Sequence, residues 1–134
     1  MQKFLIATLA ATLALGALPA AAKPHLRDTG IDDKLMYVGI ANELRKECGS
    51  IGARMIKAYG YLEGLKSEAR GMGYSDAEIE AYVTSDAEKK RMKSKATAWL
   101  QERGVNPGDN AGFCAYGQGE IDKGSVIGSL LRKK

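Results

Sequence analysis

Residues 74–90 read YSDAEIEAYVTSDAEKK, and the tetrapeptide Ser-Asp-Ala-Glu occurs twice within them. Ser75 is followed three residues later by Glu78, and Ser85 is followed in the same way by Glu88. This spacing is typical of a capping box, in which each side chain accepts a hydrogen bond from the other residue's backbone N–H at a helix start. The stretch therefore predicts two helix starts in succession.

The two predicted helices cover residues near 76–84 and 86–103, with a bend between them. Tyr74 and Ile79 have the spacing of a hydrophobic staple, which packs the residue before the cap against the first turn. Because capping boxes also match by chance, one continuous helix is the alternative prediction.

Five carboxylates in the same stretch raise the alternative of a metal or acid–base site. Calcium loops present carboxylates at alternate positions around a central glycine, which this stretch lacks. In a helix, residues two apart point to different sides and do not converge. Helix capping is therefore the favoured interpretation, and we expect no metal site. The carboxylates belong to Asp76, Glu78, Glu80, Asp86 and Glu88.

Apolar residues also recur at helical spacing before this stretch. A first helix is predicted over 31–48. A second helix, capped by Ser50, runs to near Arg70, and its Gly60-x-x-x-Gly64 ridge predicts close approach by a neighbouring helix. Its predicted buried face consists of Ile51, Met55, Ile56, Tyr59, Leu62 and Leu65. The predicted buried face of the helix near 86–103 consists of Met92, Ala96, Trp99 and Leu100.

The C-terminal part contains a turn followed by two short helices. Residues 105–110, VNPGDN, have turn chemistry, and the final helices are separated at Gly124, with Ser125 capping the last one. The basic tail at 132–134 suits the C-terminal end of that helix. No strand-like alternation occurs anywhere. The sequence therefore predicts an all-α fold, a compact bundle of about five helices with one disulfide.

The first 22 residues have the features of a cleavable signal peptide. Lys3 precedes an apolar run over 4–18, and small residues at 20–22 form a cleavage site. The run is shorter than the roughly 20 residues that span a bilayer, so an uncleaved anchor is the less favoured alternative. We expect export to the periplasm, a single helical domain over 23–134, and no transmembrane segment after cleavage.

The two cysteines, Cys48 and Cys114, both follow the predicted cleavage site. An even number of cysteines in an exported chain indicates a disulfide. Two free thiols for metal or redox chemistry are the alternative, but there is no Cys-x-x-Cys, and the only histidine, His25, lies in a predicted extended tail. We predict a Cys48–Cys114 bridge from the end of the first helix to the fifth.

The densest basic run lies in the predicted fourth helix. It is a candidate surface for a protein partner or for phospholipid headgroups, and a solvated helix face is the alternative. The net charge of +4 is too small to favour nucleic acid as a partner. The run consists of Lys89, Lys90, Arg91, Lys93 and Lys95.

Residue sets of known catalytic sites are missing from the sequence. One histidine leaves no Ser-His or Cys-His pair and no zinc or haem set, and no glycine-rich phosphate loop follows a strand. We therefore expect neither enzymatic activity nor a cofactor.

Most of the chain after residue 22 resembles a known family. The segment 37–93, together with FCAYGQGEI at 113–121 and SVIGSLLR at 125–132, is similar to the DUF5333 family of small exported alphaproteobacterial proteins, a domain of unknown function. The resemblance implies an exported domain and brings no catalytic residues. It also implies, as one alternative, an accessory role at the respiratory NADH dehydrogenase.

The leading functional hypothesis is a non-catalytic periplasmic protein that binds a protein partner or assists an envelope complex. One alternative is a periplasmic stress chaperone that unfolds at low pH and exposes apolar surface. Another alternative is an inhibitor of an envelope enzyme, for which the loop at 105–110 is the candidate inhibitory segment.

Overall fold

The computed structural model describes residues 22–134, so the predicted signal peptide lies outside the described residues except for Ala22. Within this range the chain forms six α-helices and one two-stranded antiparallel sheet, preceded by a single 3-10 turn at Leu26–Asp28. The elements follow in the order α1 (Gly30–Glu47), β1 (Ile51–Ala53), α2 (Met55–Gly71), α3 (Asp76–Thr84), α4 (Asp86–Gln101), α5 (Asn110–Lys123), α6 (Val126–Ser129) and β2 (Leu131–Lys133). The predicted all-α class is confirmed.

The predicted disulfide is confirmed as well. Cys48 follows the last residue of α1, and its sulfur is bonded to that of Cys114 in α5, 66 residues later. Cys48 is 2% exposed, so the bridge begins inside the core. The disulfide therefore holds the C-terminal end of α1 against α5.

The first predicted capping box forms in full. The Glu78 N–H donates to Ser75 Oγ at 3.1 Å, and the Ser75 N–H donates to Glu78 Oε2 at 2.6 Å. Tyr74 and Ile79 are both buried in one hydrophobic cluster, as the staple requires. The chain between α3 and α4 is extended at Ser85, so the predicted bend is present and the single continuous helix is excluded.

The second capping box forms only in part. The Ser85 hydroxyl accepts from the Glu88 N–H at 3.2 Å, as predicted. The Glu88 carboxylate does not return to Ser85, because it is bound by Arg91, one turn later, and by Arg27. The side chains of Arg91 and of the distant Arg27 therefore take the place of the Ser85 backbone N–H as partners of Glu88.

The prediction that the chain has no strands was wrong. Ile51, assigned to the second helix, lies in β1 and faces Lys133 of β2, and Arg54 rather than Ser50 precedes α2. The basic tail accordingly belongs to a strand and not to a helix end. Each strand has three residues, too few to show the alternation from which strands are predicted.

The predicted buried face of α2 was also wrong in its first half. Met55, Ile56 and Tyr59 are exposed, whereas Leu65 and Ala69 are buried. Tyr61, which did not lie on the predicted face, packs against the core together with Ala58. The helix carries apolar residues on two sides, so its period alone could not tell which side packs inward.

The Gly60-x-x-x-Gly64 ridge does not mediate helix packing. A Cβ atom added at either glycine would meet no atom within 4 Å. Close approach occurs instead at Gly128 in α6, where an added Cβ would lie 1.8 Å from the backbone oxygen of Glu120. The break at Gly124 and the Ser125 cap of α6 are as predicted, with the Gly128 N–H donating to Ser125 Oγ at 3.0 Å.

Two hydrophobic clusters are built on α1. The smaller one joins its first residues to the 3-10 turn, the end of α2 and the start of α3. The larger one, which contains the buried disulfide cysteine, joins the rest of α1 to α4, α5, α6 and the small sheet. Helix α1 is therefore the central element of the domain. The buried members of the larger cluster are Met36, Ile40, Ala41, Leu44, Cys48, Ile51, Leu100, Phe113, Ile127, Leu130 and Leu131.

Candidate functional site

A groove of about 720 Å³ lies between α1 and α4. Residues four apart on a helix share a face, and both α1 and α4 carry apolar residues at this spacing on the side that lines the groove. The floor of the groove is therefore apolar. The predicted buried face of α4 is confirmed in orientation but is only partly covered, since Leu100 is buried while Met92 and Ala96 remain half-buried. The incomplete cover leaves the groove open. The floor contains Met36, Ile40, Met92, Ala96, Leu100 and Phe113.

The two sides of the groove carry opposite charge. On the α1 side, Glu43 and Glu47 are exposed, and Lys46 between them forms an ion pair with Glu43 at 3.2 Å. On the α4 side, Lys89 and Lys93 are exposed, and neither takes part in an ion pair within residues 22–134. One rim therefore has a net negative charge and the other a net positive charge.

The basic run predicted as a partner surface is divided by the structure. Lys89 and Lys93 line the groove, and Lys90 is exposed beside it. The side chains of Arg91 and Lys95 do not line the groove, because both bind a carboxylate on α1. Three of the five predicted residues are thus exposed without an ion pair within residues 22–134, and the other two form ion pairs with α1.

The carboxylate that binds Arg91 and Lys95 is Asp32, in the first turn of α1. Asp32 is 1% exposed, and its oxygens accept from Arg91 Nη1 at 3.2 Å and from Lys95 Nζ at 2.6 Å. A second Arg91 nitrogen and the Tyr82 hydroxyl also donate to it. We call Asp32, Tyr82, Arg91 and Lys95 the ion cluster. It joins the N-terminal end of α1 to α3 and α4.

The hydrogen bonds of the ion cluster set the charge of its members. Burial by itself disfavours the charged form of Asp32, but the hydrogen bonds from Arg91, Lys95 and Tyr82 outweigh it and lower the pKa of Asp32 from 3.8 to about 2. Burial and the adjacent carboxylate raise the pKa of Tyr82 above its usual value. Asp32 is therefore a fixed anion at neutral pH, with a structural role rather than one in proton transfer.

Asp32 was not among the residues predicted to be buried. Asp32 and Asp33 together are typical of a helix start, where carboxylates are favoured. A signal was present, since Asp32 precedes Met36 and Ile40 at four-residue steps and so lies on the buried stripe of α1. A carboxylate on an apolar stripe requires a cation, but the sequence does not say which one.

The depressed pKa of Asp32 predicts how stability depends on pH. A carboxylate with a lower pKa in the folded state stabilises the protein fully above its unfolded value of 3.8, and this stabilisation is lost as pH falls toward about 2. The expected loss is about 2 kcal/mol between pH 5 and pH 2. Urea unfolding across this range tests it, with Asp32→Asn as the reference. An equal pH dependence in the variant and the wild type would contradict the assignment.

Two carboxylates of the acidic stretch at 75–88, those of Asp76 and Glu78, have capping or ion-pairing roles. Glu78 completes its capping box and binds Lys23, and Asp76 binds Arg70 at 2.6 Å. Within residues 22–134 no group of three or more His, Cys, Asp or Glu side chains is arranged to hold a metal ion. The same part of the chain contains no helix with the length and apolarity needed to cross a membrane.

Comparison with known families places this arrangement in context. A family of unknown function, DUF5333, matches residues 23–132. The chain belongs to this family. The part matched to DUF5333 includes both cysteines, the ion cluster and the whole groove. No curated protein and no solved structure gave a significant match.

Proposed function

We propose that this DUF5333 protein is a non-catalytic periplasmic binding protein whose α1/α4 groove receives an amphipathic helix of a partner protein. The observation that carries the proposal is the apolar floor between two rims of opposite charge. Amphipathic helices are recognised in such grooves by apolar anchors, with polar flanks that set the orientation. Export is supported by the apolar leader over 1–22 and by the disulfide, which is typical of oxidising compartments.

The spacing of the rim charges defines the expected ligand. Glu43 and Glu47 are four residues apart on α1, and Lys89 and Lys93 are four residues apart on α4. Each pair therefore spans about one helical turn, or roughly 6 Å along its axis. A helix lying along the groove would match them with basic residues on one flank and acidic residues on the other. Its apolar face would cover Met92 and Ala96, which the fold leaves partly open.

The groove proposal predicts site-specific crosslinking. A photo-crosslinking residue at Thr97, which lines the groove, is expected to capture one reproducible protein from periplasmic extract. The same residue at Ser94 is the control, because Ser94 is exposed on the same helix but does not line the groove. Equal capture from both positions, or no reproducible product from Thr97, would contradict the proposal.

Charge reversal on the rim makes the same test quantitative. Lys93→Glu is expected to weaken capture about tenfold, because like charges then face each other across the interface. Lys90→Glu is the matched control, since it makes the same change on α4 at a position outside the groove. If both variants lose capture equally, general electrostatic attraction rather than the groove explains the binding.

Two of the alternative functions predicted from the sequence can be tested with the same protein. An acid-activated chaperone must unfold at low pH. The ion cluster loses only part of its stabilisation by pH 3, because Asp32, with a pKa of about 2, is still mostly charged there. Near-ultraviolet circular dichroism at pH 3 separates these two functions. An accessory role at the respiratory NADH dehydrogenase is one form of the groove proposal and requires the crosslinked protein to be a subunit of that complex.

A further inference from the structure

We propose that the start of α2 forms a second interaction surface, which binds the headgroup region of an anionic phospholipid bilayer. Met55, Ile56 and Tyr59 are 65%, 92% and 67% exposed, whereas the other exposed large hydrophobic side chains of residues 22–134 reach at most 42%. We call these three residues the α2 patch. None of them lines the α1/α4 groove, so the inference does not depend on the proposed function.

The α2 patch faces away from the core. Ile56 and Tyr59 are one helical turn apart and lie on the side of α2 opposite Leu65, which is buried. Met55 extends the patch toward the small sheet, where it lines a hollow of about 210 Å³ together with Ile51. The patch therefore reaches the edge of the small sheet, where Ile51 itself is buried.

The charged side chains around the N-terminal end of the α2 patch, next to Met55, are all basic. The hollow beside Met55 is lined by three charged side chains, and each of them is basic. Two further basic residues flank Met55 and Ile56 in the sequence and are exposed. Among residues 22–134, none of these five cations forms an ion pair with a carboxylate. They are Arg45, Arg54, Lys57, Arg132 and Lys134.

The nearest acidic residue along α2 does not cancel this positive field. Glu63 lies one turn beyond Tyr59, but it is already paired with Lys66 at 3.0 Å. Beside the sheet, Asp122 is paired in the same way with Lys133 at 2.7 Å. The α2 patch thus has an apolar centre and a surplus of positive charge around it.

This combination fits a bilayer better than it fits a second copy of the chain. In a symmetric dimer the same patch would meet itself, which would bring its cations together. A bilayer of anionic lipid offers negative headgroups to the cations and an apolar boundary to Met55 and Ile56. Tyrosine is favoured at this boundary, because its ring is apolar and its hydroxyl remains hydrated.

The experiment is flotation of the folded protein, residues 23–134, with lipid vesicles at low salt. We expect binding to vesicles that contain phosphatidylglycerol and little binding to vesicles of phosphatidylcholine alone. The double variant Ile56→Ser/Tyr59→Ser is expected to weaken binding at least about tenfold. Arg54→Gln and Lys57→Gln are each expected to weaken vesicle binding about fivefold. High salt is also expected to weaken vesicle binding, because it screens the attraction between the cations and the anionic headgroups.

Matched controls separate this surface from the rest of the molecule. Val126→Ser removes a hydrophobic side chain that is 41% exposed elsewhere, and Lys89→Gln removes a cation from the groove rim. Both are expected to bind vesicles like the wild type. Circular dichroism confirms that each variant is folded, which the outward positions of Ile56 and Tyr59 should permit.

Three results would overturn the inference. The first is the absence of binding to phosphatidylglycerol vesicles at low salt. The second is binding that survives the Ile56→Ser/Tyr59→Ser change but is lost in Lys89→Gln, which would move the lipid contact to α4. The third is a dimer in sedimentation that the α2 variants dissociate, without any vesicle binding.

Discussion

Replacing Asp32 by asparagine is expected to lower the free energy of unfolding by about 3 kcal/mol, the lower end of the range for removing one partner of a buried ion pair. The change keeps the shape of the side chain but removes the charge that Arg91 and Lys95 share. The lower end applies because both cations are about one-third exposed and regain some hydration. Equilibrium unfolding in urea at pH 7 measures the effect.

Asp33→Asn is the matched control for this prediction. Asp33 is the adjacent carboxylate and also binds Lys95, but its side chain is 59% exposed. Exposed ion pairs contribute little, so this change should cost less than about 1 kcal/mol. Equal destabilisation by the two changes would show that burial of Asp32 does not determine its contribution.

A second comparison tests whether the cost of Asp32→Asn comes from stranded cations. Combining Asp32→Leu with Arg91→Met and Lys95→Met removes Asp32 and both of its cations at once, while Glu88 keeps its ion pair with Arg27. Replacing a complete buried ion pair with apolar residues is often neutral or stabilising. The triple variant is therefore expected to be more stable than Asp32→Asn, and a further loss would indicate that packing rather than charge dominates at this site.

Reduction of the Cys48–Cys114 disulfide is expected to destabilise the protein by about 4 kcal/mol. The bridge closes 66 residues, and the chain-entropy relation for a loop of this size gives a value of that order. Urea unfolding of the protein with and without reductant measures the difference. The wild-type sequence is used in both arms, so the core packing of Cys48 stays comparable.

The double variant Cys48→Ala/Cys114→Ser provides the control for this measurement. It should match the reduced protein, apart from a small loss from the smaller side chain at Cys48, which is 2% exposed. It should also be insensitive to reductant. An unfolding midpoint of the wild type that does not change with reductant would contradict the predicted contribution of the bridge.

The ion pairs of Asp32 and the Cys48–Cys114 disulfide connect opposite ends of α1 to other helices. Asp32 and Cys48 are separated by roughly 24 Å along the helix axis, so their effects on unfolding should be nearly additive. One connection leads to α4 and the other to α5, and both helices contribute to the groove. The position of α1 relative to α4, and with it the width of the groove, therefore depends on both.

Features that depend on neighbouring residues were predictable from the sequence. The Ser75/Glu78 capping box, the bend at Ser85 and the break at Gly124 are all decided within a few residues. Helix starts and ends rely on hydrogen bonds over three or four positions, which spacing in the sequence reports directly. The disulfide was predictable for a different reason, since two cysteines allow only one intramolecular pairing.

Features that depend on distant residues were decided by the tertiary structure alone. Asp32 meets Arg91 across 59 residues, and Glu88 gives up its capping role to bind Arg27 as well as Arg91. The inward side of α2 was settled by how Leu65 and Ala69 pack, which left the α2 patch outside. Periodicity identifies apolar faces, but only the competition among all elements for a single core determines which face is buried.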